Sequence, residues 1–467
     1  PRTPDSTILM LLCTSLLVLG VSWAYDFPGA MFSFLSDRFG SSYSSANNQL
    51  LYSVYNWPNV VIVLLAGFAI DQWVGISRSS VCLTLLILSG QCLFSLAVQW
   101  RLFWLAVLGR FVFGLGGEAI KVAQSTWIVL LSDASNMSWR FGVVLSVSRL
   151  AGAVNFAVTP TIGQTSILAA VWLGTIVSAL SLCGAVVLVR LYQRRLILGS
   201  PSIASPRASV PRLGVRAQLV AMWTVLRSFP GTVWLQFAIC VFYHVGVLLL
   251  YQIASTLLQQ TGARYTERTA SLLVAIPAFI SIFGTPLAGH LVDKYGHALD
   301  SILVASGLLI LSHLLFIAYV LEWVASAGKA GLSVIVIALV TVGVSYSMAT
   351  ASIWPLVPFL LPPSQVAIGY GAMASVENLG VALMTVILSS ASSASGSPAS
   401  HWPHVVSLLL LMFTAAVAAV CVVIQIHTDS TAHDGRLNKR AVDRQLAADI
   451  VASDDRTVPA IVVVPST

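Results

Sequence analysis

Twelve long apolar stretches, separated by polar segments, are the dominant pattern along the chain. They lie at about 8–36, 47–70, 79–98, 102–131, 139–164, 166–193, 231–258, 268–292, 299–321, 331–361, 364–392 and 403–427. A helix needs about 20 apolar residues to cross a bilayer, and helices satisfy their own backbone hydrogen bonds there. The pattern therefore predicts an all-α membrane protein with twelve transmembrane helices.

The composition supports this prediction. Of 467 residues, 57% are hydrophobic and only 9% are charged, whereas soluble domains carry about 25% charged residues. A soluble enzyme, a disordered chain and a secreted disulfide scaffold are therefore excluded. The chain has no GxSxG motif, no HExxH motif and no phosphate-binding loop, so we do not expect this protein to be an enzyme.

The chain divides into four parts. We assign residues 1–194 to an N-terminal six-helix half, 195–230 to a cytosolic linker, 231–428 to a C-terminal six-helix half and 429–467 to a cytosolic tail. The linker is rich in Arg, Pro and Ser and has no acidic residue, so we expect it to be flexible. The tail is polar and charged, and we expect it to be disordered apart from a short helical pattern.

The basic residues predict the orientation. With both termini and the linker cytosolic, sixteen of the 24 Lys and Arg residues fall on that side, five on the far side and three within spans. Cytosolic loops of membrane proteins carry such an excess. Because orientation accounts for the net charge of +7, we expect no nucleic-acid partner.

The two halves repeat each other. Gly67-x-x-x-Asp71 follows the second span, Gly289-x-x-x-Asp293 follows the eighth, and SVSRLAG (146–152) in the fifth span matches SVENLG (375–380) in the eleventh. Gly allows helices to approach closely, and Asp can accept hydrogen bonds from a neighbouring helix N-terminus. We therefore assign Asp71 and Asp293 gating or structural roles. Two six-helix halves in parallel repeat are typical of major facilitator superfamily transporters.

Longer strings carry a closer resemblance within that superfamily. They are YDFPGA (25–30), YNWPNVV (55–61), GRFVFGLGGE (109–118), VAQST (122–126), SRLAGAVN (148–155), GVSYSMATASIWPLVPFLLPP (343–363) and GYGAMASVENLG (369–380). From about Leu16 to Ile387, the chain resembles the lysosomal dipeptide transporters of the major facilitator superfamily.

This resemblance implies a multi-pass protein of the membrane of the lysosome, or of an equivalent acidic organelle. It implies export of dipeptides to the cytosol by alternating access, as a uniporter without a cofactor, with a preference for peptides containing Lys, Arg or His. It also implies a heavily glycosylated lysosomal membrane partner that shields the transporter from lumenal proteases, and we consider a homodimer as well. The one glycosylation sequon, Asn136-Met137-Ser138, falls on the cytosolic side, so we expect no lumenal glycan on this chain.

Six charged residues within the spans are the first site candidates, because each costs about 2.5–3.5 kcal/mol at the bilayer centre. They are Asp26, Glu118, Glu377, Arg110, Lys121 and Arg149. Glu118 and Arg149 lie mid-span in the fourth and fifth helices, where the carboxylate can hold a peptide ammonium and the guanidinium a peptide carboxylate. In the empty state the two can pair with each other. The alternative is a purely structural ion pair.

Glu377 and its neighbour Asn378 occupy the matching height in the eleventh span. Glu377 stands where the resemblance implies a neutral amide, and it offers a second acceptor for a cationic side chain. The alternative is a solvated rim residue. Asp26 precedes Pro28, which kinks the first span, so the two suit a gating element that also contacts substrate. A backbone hydrogen bond of Asp26 is the alternative.

Two further cations lie in the fourth span. We expect Arg110, near the far end of that span, to brace a closed gate through a bond to a neighbouring helix. Lys121 lies three residues after Glu118 on the same helical face, and we expect its ammonium to reach that carboxylate. The alternative is that Lys121 snorkels to the interface.

Aromatic and histidine side chains complete the predicted site. His244 and Tyr251 share a face of the seventh span, with Tyr243 beside them. Such groups hydrogen-bond or stack on a peptide, but simple packing is the alternative for each. We expect Trp354, which precedes Pro355 in the tenth span, to contact substrate, and Trp57 to do so or to pack. The six cysteines all lie in apolar stretches without a CxxC motif, so we expect neither a metal site nor disulfides.

Two other functions stay open. A proton-coupled carrier of amino acids or organic ions could use Asp26, Glu118 or Glu377, and flux that follows a pH gradient would favour it. A non-transporting receptor or scaffold is a different class, but it has no reason to keep six charges within its spans.

Overall fold

The computed structural model describes residues 4–40, 43, 45–197, 215–260, 265–322, 329–394, 402–433, 435–440 and 443. All regular secondary structure among these residues is helical. Twelve segments of the described chain are long and apolar enough to cross a membrane. The predicted all-α fold with twelve transmembrane helices is therefore confirmed.

The N-terminal half contains ten α-helices and two short helices of other types. The α-helices are α1 Pro4–Leu16, α2 Leu19–Tyr25, α3 Phe27–Ala30, α4 Phe32–Phe39, α5 Ser45–Phe68, α6 Ile76–Trp100, α7 Phe103–Gly117, α8 Ala119–Leu131, α9 Met137–Thr165 and α10 Ile167–Ile197. A π-helix, Ala69–Trp73, follows α5, and a 3-10 helix, Ala134–Asn136, precedes α9. The first span begins with α1 and α2. Helices α5 and α6 are the second and third spans, and α7 and α8 together form the fourth span. Helices α9 and α10 are the fifth and sixth spans.

The C-terminal half is built in the same way after a helix in the linker. Its α-helices are α11 Val215–Ser228, α12 Gly231–Gln260, α13 Glu267–Val274, α14 Ile276–Tyr295, α15 Ala298–Val320, α16 Lys329–Leu360, α17 Val366–Ala394 and α18 Trp402–His433. The 3-10 helix Pro363–Gln365 precedes α17, and a second 3-10 helix, Arg436–Asn438, follows α18. The seventh span is α12, the eighth combines α13 and α14, and α15 to α18 are the ninth to twelfth.

Glycines bring the two halves into close contact on the linker side. A side chain on Gly371 would lie 2.8 Å from the Val63 carbonyl oxygen, and one on Gly142 would lie 2.7 Å from the Cα of Pro286. Gly67 and Gly289 of the repeated motif also lack space for a side chain, because they face the backbone of Ala367 and Ser138. The second span thus packs on the eleventh and the fifth on the eighth, at their linker-side ends.

The described end of the linker differs from the predicted flexible form, because Val215–Ser228 forms helix α11. Met222 and Val225 pack against the core and Leu226 is buried. Trp223 is exposed, and the centre of its ring lies 4.9 Å from the guanidinium carbon of Arg227. Apolar residues on one face give an amphipathic helix. The prediction overlooked this pattern because Arg, Pro and Ser dominate the earlier part of the linker, of which residues 198–214 lie outside the described chain.

The described part of the tail is more regular than the predicted disorder with a short helical pattern. Helix α18 continues to His433, past the predicted end of the twelfth span. Beyond it, the Asn438 side chain accepts a hydrogen bond from the Leu299 amide at 2.8 Å, and Arg436 donates to the Phe359 carbonyl oxygen at 2.9 Å. Asn438 therefore caps the start of α15. The cap anchors this part of the tail to the C-terminal half.

Candidate substrate site

Two acidic residues of the N-terminal half lie where their helices are interrupted. Asp26 separates α2 from α3, two residues before Pro28, and Glu118 separates α7 from α8. Interrupted transmembrane helices present backbone and side-chain groups to a binding site at the membrane midplane. This placement makes Asp26 and Glu118 candidates for a binding site.

Glu118 pairs with Lys121 and not with Arg149. The Lys121 ammonium lies 2.6 Å from Glu118 Oε1, and the Tyr55 hydroxyl donates to the same oxygen at 2.9 Å. The ion pair of Glu118 with Arg149, which the sequence also allowed, is not formed in this conformation. The physical reason is proximity, since Lys121 lies one turn along the same helix. The expected contact of Lys121 with Glu118 is formed, although 51% of the lysine side chain is exposed.

Arg149 contacts the opposite half of the protein instead. Its guanidinium carbon lies 4.3 Å from the centre of the Tyr346 ring in the tenth span. The charge of Arg149 also interacts with Asp26, Tyr251 and Glu377. Arg149 of the N-terminal half is therefore in contact with the tenth span of the C-terminal half.

Arg110 is a structural anchor within the N-terminal half. It is 1% exposed, and it donates to the carbonyl oxygens of Ala24 and Tyr25, both at 3.0 Å. Its guanidinium also lies 5.1 Å from the centre of the Phe113 ring. The expected bond to a neighbouring helix is formed, but it joins the first and fourth spans of one half and does not cross between the halves.

The predicted groups of the seventh and tenth spans separate into two environments. The Tyr243 hydroxyl is buried and hydrogen-bonds Ser345 Oγ at 2.6 Å, so it lies in the packing between helices. The His244 ring lies 6.2 Å from the Tyr346 ring and 6.3 Å from the Trp354 ring. Trp354 stacks on Tyr370 with a centroid distance of 6.0 Å. His244, Tyr346 and Trp354 thus form an aromatic wall that begins at Arg149.

The eleventh span contributes Glu377 and Asn378. Both are partly buried, and the Asn378 side chain donates to the Ala374 carbonyl oxygen at 2.9 Å. Glu377 Oε2 lies 3.6 Å from the sulfur of Cys240. Glu377, Cys240 and His244 form a group whose potential metal-ligand atoms all lie within 4.8 Å of one another.

The paired aspartates close the linker side. Asp71 Oδ2 accepts from the Ile368 amide at 2.8 Å, at the start of the eleventh span. Asp293 accepts from the amides of Ser138 and Trp139, at 3.0 and 2.8 Å, at the start of the fifth span. Each half therefore caps a helix N-terminus of the other, as the repeated motif predicts. These contacts lie on the linker side of Arg149, so the protein is in a conformation closed toward that side.

Three residues of this region were not predicted: Tyr55, Tyr346 and Cys240. Tyr55 and Tyr346 occur in the motif strings of the second and tenth spans, but nothing in the strings shows which partner each contacts. Cys240 and His244 are four residues apart, a spacing that signals a shared helical face. That spacing was a usable signal, but their partner Glu377 is 137 residues away from Cys240.

The sequence profile of the Major Facilitator Superfamily matches residues 11–385. The lysosomal dipeptide transporter MFSD1 of Homo sapiens is 30% identical over 393 residues, covering 81% of this chain and 78% of that protein. The chain belongs to the major facilitator superfamily, in the MFSD1 family. The MFSD1 protein of Danio rerio is 31% identical over 387 residues, covering 81% and 79%. That of Mus musculus is 28% identical over 451 residues, covering 94% and 89%.

Solved structures share the fold. A double-Trp mutant of XylE has a TM-score of 0.70 at 14% identity, with 95% of this chain and 99% of that chain covered. FucP in the outward conformation has a TM-score of 0.66 at 14% identity, with 90% and 99% covered. Together with the family and the twelve spans, these matches make the chain a multi-pass membrane transporter, and its MFSD1 relatives are transporters rather than enzymes.

Proposed function

We propose that this transporter exports dipeptides from the lysosome lumen to the cytosol by alternating access, as a uniporter that favours Lys-, Arg- or His-containing peptides. The relatives named lysosomal dipeptide transporter support the substrate class and the organelle. The glycosylated lysosomal partner and the homodimer belong to the same proposal. The sequon supports a shielding partner. Asn136 lies beside the linker-side contact of Ser138 with Asp293, so a glycan there would not protect the lumenal face.

The observation that carries the proposal is the separation of opposite charges around the interrupted helices. Glu118 and Lys121 form an ion pair in the fourth span, and Arg149 lies in the fifth span against Tyr346 of the other half. A dipeptide is a zwitterion whose ammonium and carboxylate are on opposite ends. In this site, Glu118 and Glu377 receive cationic groups and Arg149 receives the carboxylate.

The side chains occupy a state that suits substrate entry. Glu118 is engaged by Lys121 and Tyr55, and Arg149 is stacked on Tyr346. A peptide ammonium can replace Lys121, whose side chain is half-exposed, at the less exposed carboxylate of Glu118. With the linker side closed by Asp71 and Asp293, the site receives substrate from the far side. Under the predicted topology, the far side is the lumen.

Reconstituted protein tests this function. Proteoliposomes would be loaded with unlabelled lysyl-alanine, and entry of the labelled dipeptide would be measured with equal pH on both sides. Counterflow of lysyl-alanine, with little counterflow of labelled lysine, is the expected result. If labelled substrate accumulates only when a pH gradient is imposed, the protein is a proton-coupled carrier and the uniport mechanism is wrong.

A further inference from the structure

The seventh and eleventh spans bring together three side chains of different chemistry. Cys240 and His244 lie on one face of α12, and Glu377 reaches them from α17. The Cys240 sulfur lies 3.4 Å from His244 Nδ1 and 3.6 Å from Glu377 Oε2. Cys240 and His244 are buried, whereas Glu377 is partly exposed. We propose that Cys240, His244 and Glu377 bind Zn²⁺, in contrast to the expectation from the sequence.

The distances between the side chains suit a tetrahedral ion. Bonds of about 2.3 Å to sulfur and about 2.0–2.2 Å to nitrogen or oxygen place neighbouring tetrahedral ligands about 3.4–3.6 Å apart. Two of the three ligand separations already have these lengths, and all three ligand atoms lie within 4.8 Å of one another, so the cluster is close to the spacing of a tetrahedral site. His244 Nδ1 also lies 2.9 Å from the Cys240 carbonyl oxygen. Binding through Nδ1 exchanges this hydrogen bond for a bond to the metal.

The ligand types select the metal. A thiolate and an imidazole favour Zn²⁺ and related transition metals, whereas Mg²⁺ and Ca²⁺ prefer oxygen ligands. The Cys240 thiolate and the Glu377 carboxylate together carry two negative charges, which neutralise a divalent ion among apolar helices. Two anionic ligands make this partly buried cluster a better site for a divalent cation than for a monovalent one.

The surroundings hold the cluster in place and leave a way in. The rings of Tyr243, Tyr346 and Trp354 lie 5.7, 6.2 and 6.3 Å from the His244 ring and fix its orientation. Because Glu377 is partly exposed, an ion can reach the cluster past its carboxylate. With three protein ligands, the fourth tetrahedral position stays open to water, as in zinc sites that exchange a ligand.

Cobalt spectroscopy tests this site directly on the purified full-length protein, and its readout does not depend on transport. Co²⁺ would be titrated into the parent protein, and Zn²⁺ would then displace it. The expected result is about one Co²⁺ per chain with tetrahedral visible bands and a thiolate charge-transfer band in the near ultraviolet. Displacement by Zn²⁺ should abolish both, because Zn²⁺ binds such sites more tightly than Co²⁺.

Variants assign the signal to these residues. Cys240→Ser should lose the charge-transfer band, and Glu377→Gln should weaken Co²⁺ binding by at least about tenfold, as expected for the loss of a ligand. Cys421→Ala, which removes a membrane cysteine of the twelfth span, is the matched control and should bind Co²⁺ like the parent. The proposal is overturned if the parent shows no thiolate band, or if Cys240→Ser and Glu377→Gln both bind Co²⁺ as the parent does.

Discussion

The guanidinium carbon of Arg149 lies 4.3 Å from the centre of the Tyr346 ring, which belongs to the other half of the protein. A cation over an aromatic face is stabilised by about 0.5–2 kcal/mol, depending on desolvation. The contact joins the halves beyond the gate of Asp71 and Asp293. A substrate carboxylate that attracts Arg149 competes with the ring, so substrate binding and the position of the two halves are coupled.

The first prediction concerns this contact. Arg149→Ala should abolish dipeptide uptake into proteoliposomes while the protein still inserts, because the substrate carboxylate then has no cation to bind it. Tyr346→Phe keeps the ring and should transport like the parent. Tyr346→Leu removes the ring and should change the initial uptake rate by about 2- to 30-fold, the range that corresponds to 0.5–2 kcal/mol. Equal rates for the Phe and Leu variants would show that the stacking has no role in transport.

The second prediction concerns the gate. Asp71→Asn and Asp293→Asn each replace a charged acceptor at a helix N-terminus of the other half. The loss of about 1–3 kcal/mol should shift the population away from the linker-closed state by about 5- to 150-fold. Electron spin resonance distances between labels at Arg78 and Tyr295, both exposed on the linker side, would report the shift as a longer component.

Asp300→Asn is the control for the gate. Asp300 also lies at a helix start on the linker side, but it contacts His297 and Asn438 within its own half. It should leave the distance distribution unchanged. A similar shift in all three variants would mean that the aspartates affect general stability and not the gate.

Some contacts of the candidate site could be predicted from the sequence, and others could not. Asp71 and Asp293 were predictable, because the same motif recurs at equivalent positions and a carboxylate at a helix N-terminus has one obvious use. The Glu118–Lys121 contact follows from a spacing of three within one helix. The stacking of Arg149 on Tyr346 and the approach of Glu377 to Cys240 depend on packing between distant helices. Periodicity within one helix carries no signal of such contacts.

The third prediction concerns Lys121, which occupies Glu118 in the structure. Lys121→Ala should bind lysyl-alanine about two- to fivefold more tightly than the parent, because a partly exposed ion pair contributes about 0.5–1 kcal/mol. The gain should vanish in a Glu118→Gln background. Binding measured by calorimetry in all four combinations gives the coupling energy. Unchanged affinity of Lys121→Ala would show that the lysine does not compete with substrate.

The fourth prediction concerns substrate charge. Peptides containing Lys, Arg or His should compete with labelled substrate better than peptides containing Asp or Glu, because Asp26 and Glu118, and Glu377 when it holds no metal, are available as acceptors. Glu377→Gln should reduce this preference. Glu322→Gln, which changes an exposed residue at the end of the ninth span, should keep it. Equal competition by lysyl-alanine and aspartyl-alanine in the parent would remove the electrostatic basis of the preference.

Blocked peptides test whether Arg149 holds the carboxylate of a dipeptide whose ammonium is held by Glu118. Affinities of lysyl-alanine and of its C-terminal amide would be measured for the parent and for Arg149→Ala. The amide should bind the parent at least about tenfold more weakly, as expected when a charge-assisted hydrogen bond of about 1.5–3 kcal/mol is lost. Arg149→Ala should bind both peptides equally. An amide that loses the same affinity in both proteins would contradict the assignment of Arg149.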